Sequence, residues 1–155
     1  MALSIREQIM AHWVTTLESI SLANGYQTNI DKVERFRLTS MDQVEQVVIE
    51  VKQGVDRNDQ SGTLNLEGRV LSILTMIKVR HDPEADEVNT ETLINQLEQD
   101  IHKAVMADRT RGATAFTTFF DSSEPIELDE AGGRAGKAVN YTVLYRHVVG
   151  DMTNG

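Results

Sequence analysis

The chain has 155 residues and a mass of 17.3 kDa, which suits one domain with a single sizeable core. Its 15 Lys and Arg against 24 Asp and Glu give a net charge of −9, which argues against sequence-independent binding to nucleic acid or to an anionic membrane. The absence of cysteine excludes disulfides, thiolate catalysis, zinc–cysteine sites and iron–sulfur clusters. No apolar run approaches the ~20 residues of a membrane span, and the first residues lack a signal-peptide apolar block. We therefore expect a soluble, intracellular protein.

The first elements are a helix and two strands. Apolar residues at helical spacing predict a helix over residues 3–24, ended by Asn24 and Gly25, which both accept left-handed backbone angles. A strand is predicted over residues 28–38 and a clearer one over 44–53, where apolar residues alternate. Residues 54–62 follow as a polar connection with a glycine at each end. We expect this connection to be an exposed loop that carries contacts.

A long strand is predicted over residues 66–80, with apolar residues on both faces. Because a strand of this kind is buried on both sides, its second face requires a cover. A second subunit is one candidate for that cover, and an ordinary position between two layers of helices is the alternative. One face carries Leu71, Ile73, Ile77 and Val79, and the other carries Val70, Leu74 and Met76.

The second half of the chain predicts another helix and a closing strand. The helix begins with Asn89 or Thr90 as its cap and ends near residue 108. Residues 109–125 give no clear pattern; a further strand is one interpretation, and Phe116, Phe119 and Phe120 are candidates to anchor the segment. A glycine-rich loop is expected at 131–136 and a strand at 139–149, before a flexible tail at 151–155. The prediction is one α+β domain over residues 1–150, with a mainly antiparallel sheet of about four strands and two helices on one face.

The sequence offers weak candidates for chemistry. The four histidines, His12, His81, His102 and His147, show no metal-helix spacing, and no serine lies in a nucleophile-elbow motif. We interpret them as structural. Residues 82–100 contain seven carboxylates and no Lys or Arg. We interpret this stretch as a solvated helix face and its approach loop.

Two loops resemble ligand-binding motifs and fail on detail. Counted from Asp56, the residues Asn58, Gln60 and Glu67 fall where a calcium loop needs ligands, but Ser61 replaces the required glycine and strands flank the segment. Residues 132–138 resemble a phosphate loop, but they lack its first glycine and its Ser or Thr, and a strand follows. No catalytic residue, metal or cofactor is therefore expected.

The order of elements resembles that of the tail-terminator proteins of long-tailed bacteriophages, also called tail-completion or minor tail U-like proteins. Three segments prompt the comparison: the opening Ile5-Arg-Glu-Gln-Ile9, the strand Val33-Glu-Arg-Phe36 and the closing segment from Tyr141 to Asp151. The resemblance is a pattern over most of the chain. It implies a non-enzymatic virion protein, present in the host cytoplasm during assembly, that forms a hexameric ring on the finished tail tube, stops its polymerisation and offers a surface to the head's connector.

The resemblance also implies partners and sites. DNA would pass through the ring's central hole without specific binding, and a net charge of −9 is compatible with that. We predict a subunit interface at Val70, Leu74 and Met76. We predict docking to tube or connector by Arg57, Asn58 and Asp59 in the first polar loop and by Arg134 and Lys137 in the glycine-rich loop.

Two alternatives remain open. One is another head–tail connector or neck protein of the same particle, which would differ mainly in its partner. The other is a small dimeric α+β domain with a ligand-binding or regulatory role. An enzyme that uses carboxylates is disfavoured, because no acid–base pair can be placed.

Overall fold

The computed structural model describes residues 2–35, 40–59, 64–81, 89–126 and 133–153. Two helices and five strands lie in these ranges, and two short 3-10 turns, Leu22–Asn24 and Met41–Gln43, lie between them. In chain order the elements are α1 (Ile5–Glu18), β1 (Lys32–Arg35), β2 (Val48–Asp59), β3 (Leu66–Arg80), α2 (Thr90–Ala107), β4 (Thr117–Pro125) and β5 (Arg134–Val148).

The first helix is shorter than the predicted span of residues 3–24. It begins after Ser4, whose hydroxyl accepts a hydrogen bond from the Glu7 N–H at 3.2 Å. It ends at Glu18, because side chains there compete for backbone groups: the Ser19 hydroxyl donates to Thr16 O at 2.6 Å and the Asn24 amide donates to Ser19 O at 2.7 Å. In the second helix the predicted cap is confirmed, since Asn89 Oδ1 accepts from Thr92 N at 2.8 Å.

The sheet has the strand order β1-β2-β3-β5-β4. The α+β class and the mainly antiparallel sheet are confirmed, and the sheet has five strands where about four were predicted, because a strand, β4, forms within residues 109–125. The sheet is also mixed: β1 runs parallel to β2, and the other pairs are antiparallel. The parallel pair arises because the connection between β1 and β2 crosses from one end of the sheet to the other instead of turning back as a hairpin.

The predicted loop at residues 54–62 is in large part strand. After an irregularity between Gln53 and Asp56, residues 56–59 pair with residues 68–71 of β3. Polar side chains are tolerated here because the end of this strand is open to solvent. Arg57, Asn58 and Asp59 therefore belong to β2, while residues 60–62 lie outside the described residues.

The predicted glycine-rich loop at residues 131–136 is corrected in the same way. β5 begins at Arg134, which pairs with Arg80, and Lys137 pairs with Ile77. The long partner strand β3 supplies hydrogen bonds along the whole segment, so the glycine content does not prevent a strand there. Residues 131 and 132 lie outside the described residues.

Both helices pack on one face of the sheet, as predicted. Their buried side chains form a single core cluster with alternate residues of β2, β3 and β5. Trp13 lies at its centre: its indole N–H donates to Thr75 Oγ1 at 3.1 Å, and its ring meets that of Tyr141 edge-on at 5.1 Å between centroids. The cluster explains why the odd-numbered side of β3 is enclosed from Leu71 to Val79.

The last described residues are bonded to the body of the protein. Ile5 N donates to Met152 O at 2.8 Å, and Asp151 forms a bridge with Val148. Residues 154 and 155 lie outside the description, and the flexibility predicted for 151–155 stays a prediction, as does the single-domain boundary at 150. No helix in the described ranges is long and apolar enough to cross a bilayer.

Candidate assembly surface

The side of the sheet opposite the helices carries the predicted interface residues. We call it the helix-free face. Val70, Leu74 and Met76 lie on it together and are only partly buried, whereas the alternating Ile73 and Ile77 on the other side are completely enclosed. The structure therefore brings the three residues onto one surface. Their contact with another subunit stays a prediction.

One end of the helix-free face is covered by the chain itself. Residues 40–46, which connect β1 to β2, pack there with Met41 and Val44 buried. Arg134 fixes this segment, because its Nε donates to Val44 O at 2.6 Å and its other nitrogen pairs with Glu45 at 2.8 Å. The expectation that a second subunit is the natural cover is thus corrected in part. The remaining area, around Leu74, has no such cover among the described residues.

The edge strand β4 exposes aromatic side chains. Phe116, just before it, is 55% exposed, and Phe119 and Phe120 are each 43% exposed. The guanidinium of Arg146 lies 4.4 Å from the Phe116 ring centroid, and that of Arg109 lies 5.5 Å from the Phe119 centroid. Sequence reasoning assigned these residues only a possible anchoring role. The available signal was their clustering, since three of the chain's four phenylalanines fall within five residues.

The outer backbone edge of β4 pairs with no strand in the described part of the chain. Its inner edge pairs with β5, and near its start Arg109 Nε donates to Thr118 O at 3.2 Å. Proteins commonly protect such edges with lysine, proline or bulges. β4 has one irregularity after Phe120 and Pro125 at its end, but it contains no Lys or Arg. The edge is therefore open to pairing.

The two predicted docking groups lie at opposite ends of the sheet. Arg57 and Asn58 are exposed and Asp59 is partly buried at the end of β2, whereas Arg134 begins β5 at the far end. Along β3 their pairing positions are Gly68 and Arg80, about 40 Å apart at ~3.3 Å per residue. Lys137 forms an ion pair with Glu98 of α2, so its side chain is already engaged within the fold.

Asp56 is the centre of an internal polar network. Its carboxylate pairs with Arg6 at 2.9 Å and with Arg69 at 3.2 Å, and it accepts a hydrogen bond from the Tyr145 hydroxyl at 2.8 Å. Burial, followed by the interaction with Asp56, raises the pKa of Tyr145 to about 12. The first residue of the rejected calcium loop thus ties β2 to α1, β3 and β5. Gln60 of that loop lies outside the described residues.

The four histidines occupy separate elements. His12 is on α1, His102 on α2 and His147 on β5, while His81 follows β3. The described ranges contain no group of three or more His, Asp or Glu arranged to hold a metal ion. In the acidic stretch, Glu98 forms an ion pair with Lys137. The buried carboxylate of Asp100 accepts hydrogen bonds from the backbone N–H groups of residues 27 and 28. Residues 82–88 of that stretch lie outside the described residues.

The segment after α2 is held against α1 in an unusual backbone conformation. Arg111 and Ala113 have φ angles of +51° and +65°. The Arg111 side chain is fully buried and lies 5.1 Å from the ring centroid of Trp13. His12 Nε2 is 3.5 Å from the Asp108 carboxylate. The pKa of His12 is lowered, first by burial and then by the nearby Arg111.

Several solved structures are similar to this chain. No family model matches the chain, and no curated protein matches it. A chain from the virion of a native gene transfer agent particle is similar with a TM-score of 0.49 and 12% identity, covering 94% of this chain and 95% of that one. Similarity at this level carries no conclusion about function.

Proposed function

We propose that this protein is a structural assembly protein, a tail terminator that forms a ring on the end of a phage tail tube. The observation that carries the proposal is the open edge of β4 with its exposed phenylalanines. Exposed aromatic side chains beside an unpaired strand edge are a liability in an isolated subunit. Their burial between subunits accounts for both features, and the resemblance in element order supplies the kind of assembly.

The positions of the polar groups support a ring that sits between two partners. Arg57 and Asn58 project at one end of the sheet, and the Arg134–Glu45–Arg80 cluster occupies the other end. A ring whose subunits stand with their strands along its axis would present one end to the tail tube and the other to the head's connector. The net charge of −9 would help DNA to pass the lumen without binding. We propose that the protein is not an enzyme.

One observation favours the alternative of a small ligand-binding domain. A surface groove of about 520 Å³ lies between α2 and β4, and a groove with a mainly apolar wall and a few polar groups is typical of small-molecule sites. Phe120 forms the wall, and its ring meets His102 edge-on at 5.6 Å between centroids. The lining residues are Asn95, Glu98, Gln99, His102, Lys103 and Phe120.

The test of the proposal is the length of tail tubes. Purified tube protein is polymerised with and without the chain, and tube lengths are measured by electron microscopy. A terminator should stop growth at substoichiometric amounts and appear as an extra ring at one tube end. Tubes of unchanged length with bare ends would contradict the proposal.

A matched pair of variants sharpens that test. Replacing Arg57 and Asn58 with serine removes exposed polar groups without touching Asp56, so the fold should be retained and capping should weaken. Asp56→Ser removes the centre of the internal network, so it should lower stability by about 1–2 kcal/mol, because Arg6 and the Tyr145 hydroxyl lose a partner while Arg69 keeps Glu67. If the Arg57/Asn58 variant caps tubes normally, docking is carried by other residues.

A further inference from the structure

The two outer strands of the sheet run in opposite directions. β1 is parallel to β2, and each step from β2 through β3 and β5 to β4 reverses the direction. If a second copy is placed beside the first in the same orientation, its β1 lies antiparallel to the first copy's β4. Antiparallel pairing is the slightly more stable arrangement per residue. We propose that neighbouring subunits join by pairing β4 of one copy with β1 of the next. This inference rests on the proposed ring.

The charges of the two edges are complementary. From residue 119 to residue 125, β4 contains Asp121 and Glu124 and no Lys or Arg. β1 is only four residues long, and its Lys32, Glu34 and Arg35 give it a net positive charge. Within the subunit, Lys32 pairs with Glu34 and Arg35 pairs with Glu7. Its length fits the part of β4 that lies beyond the contact of Arg109 with Thr118. Opposite charges on facing strands stabilise pairing.

One pairing register sets opposite charges across from each other on the same face of the sheet. Lys32 pairs with Val48, and Val48 with Lys78, so Lys32 points to the helix-free face. Glu124 pairs with Ala138, and Ala138 with Met76, so Glu124 points to the same face. Strand residues directly opposite one another share a face.

With Lys32 opposite Glu124, the remaining residues also fit. Val33, which packs against the core, falls opposite Ser123, and Glu34 falls opposite Ser122. Arg35, whose guanidinium pairs with Glu7 within its own subunit, falls opposite Asp121, next to the partly exposed ring of Phe120. The pairing thus covers part of the aromatic surface that the isolated subunit exposes.

Self-pairing of either edge is disfavoured by like charges. Two copies of β4 related by a two-fold axis would bring Asp121 and Glu124 of one copy close to the same carboxylates of the other. Two copies of β1 paired about their centre would set Lys32 against Arg35. Pairing of unlike edges is a heterologous contact, which produces a ring when its rotation closes. The edges therefore favour a ring over a two-fold dimer.

The absence of native cysteine makes disulfide trapping a direct test. The test variant is Lys32→Cys combined with Glu124→Cys, oxidised at a concentration where the wild type forms its ring. Four inter-strand steps separate β1 from β4 within one subunit, about 19 Å at ~4.8 Å each. A disulfide needs Cα atoms within ~7 Å, so any bond formed must join two copies. We expect a ladder of covalent multimers on a non-reducing gel, ending at the ring size.

Two control variants and two further results decide the test. Lys32→Cys with Glu18→Cys, where Glu18 ends α1, should give no ladder. Glu124→Cys alone should give no dimer, and a strong dimer band would overturn the proposal in favour of two-fold pairing of β4. A wild-type ring without a ladder in the test variant would overturn the edge pairing while leaving the proposed function standing. A wild type that is monomeric at all concentrations would overturn both.

Charge exchange provides an independent readout. Lys32→Glu and Glu124→Lys should each reduce the fraction of ring at least several-fold, because each places like charges in the register. The double variant Lys32→Glu/Glu124→Lys should recover most of it, with melting temperatures close to the wild type throughout. Additive losses in the double variant would contradict the register.

Discussion

The two faces of β3 differ in what covers them. On the helix side, Ile73 and Ile77 have no exposed surface, because α1 and α2 close over them. On the helix-free face, Leu74 and Met76 are partly open, and residues 40–46 are what covers one end among the described residues. The same strand therefore serves two purposes. Its helix side stabilises the monomer, and its helix-free face leaves apolar area partly exposed, where we predict the subunit contact.

The largest expected effect is on the helix side. Trp13→Ala removes the ring that packs on Tyr141 and on the buried Arg111, and it leaves the Thr75 hydroxyl without its donor. We expect a loss of about 3–5 kcal/mol in unfolding free energy, measured by urea denaturation. Thr15→Ala, an exposed position on the same helix, should change it by less than about 0.5 kcal/mol. An equal loss of unfolding free energy in the two variants would contradict the stabilising role of the helix side.

The next effect falls on assembly. Leu74→Asp should keep the fold, with a loss of about 1–2 kcal/mol, while a charge buried in the predicted subunit contact should abolish ring formation. Thr15→Asp, on the exposed side of α1, is the control. Sedimentation gives the assembly state and circular dichroism the fold. If Leu74→Asp assembles normally while the Lys32→Glu variant does not, subunit contact lies at the strand edges alone.

A smaller effect depends on pH. Because the pKa of His12 is lowered by burial and by Arg111, the folded protein binds fewer protons at this site than the unfolded chain once the pH falls below about 6.5. Stability is fully present above that pH and is lost as the pH falls toward the lowered value. In urea denaturation, His12→Gln should lose less stability between pH 7.5 and 5.5 than the wild type. An unchanged or larger loss in the variant would contradict this assignment.

The smallest expected effect concerns the backbone after α2. Ala113 has a φ of +65°, a conformation that costs a residue with Cβ about 1–2 kcal/mol. Ala113→Gly relieves that cost but adds entropy to the unfolded chain, so a net gain of about 0.5 kcal/mol is expected. Ala11→Gly, exposed within α1, should instead lose about 1 kcal/mol. Losses in both variants would show that residue 113 is not strained.

Sequence patterns predicted the elements whose apolar spacing is regular. The cap at Asn89 and the two apolar faces of β3 followed from local rules. β4 was left open because polar residues after Phe120 interrupt the alternation, and its place depends on pairing with β5. Arg134 and Lys137 were assigned to a loop because glycine suggests one, although a long partner strand overrides that tendency. The interface positions could be chosen from β3, but the open edge of β4 emerges only when the strand order is known.

The mass of the assembled protein tests the central claim most directly. Native mass spectrometry of the wild type, over a rising concentration series, gives the number of chains in each particle. The account predicts a closed particle of six chains of 17.3 kDa each, with no larger open series, because unlike edges close into a ring. Particles of one or two chains at every concentration would contradict it.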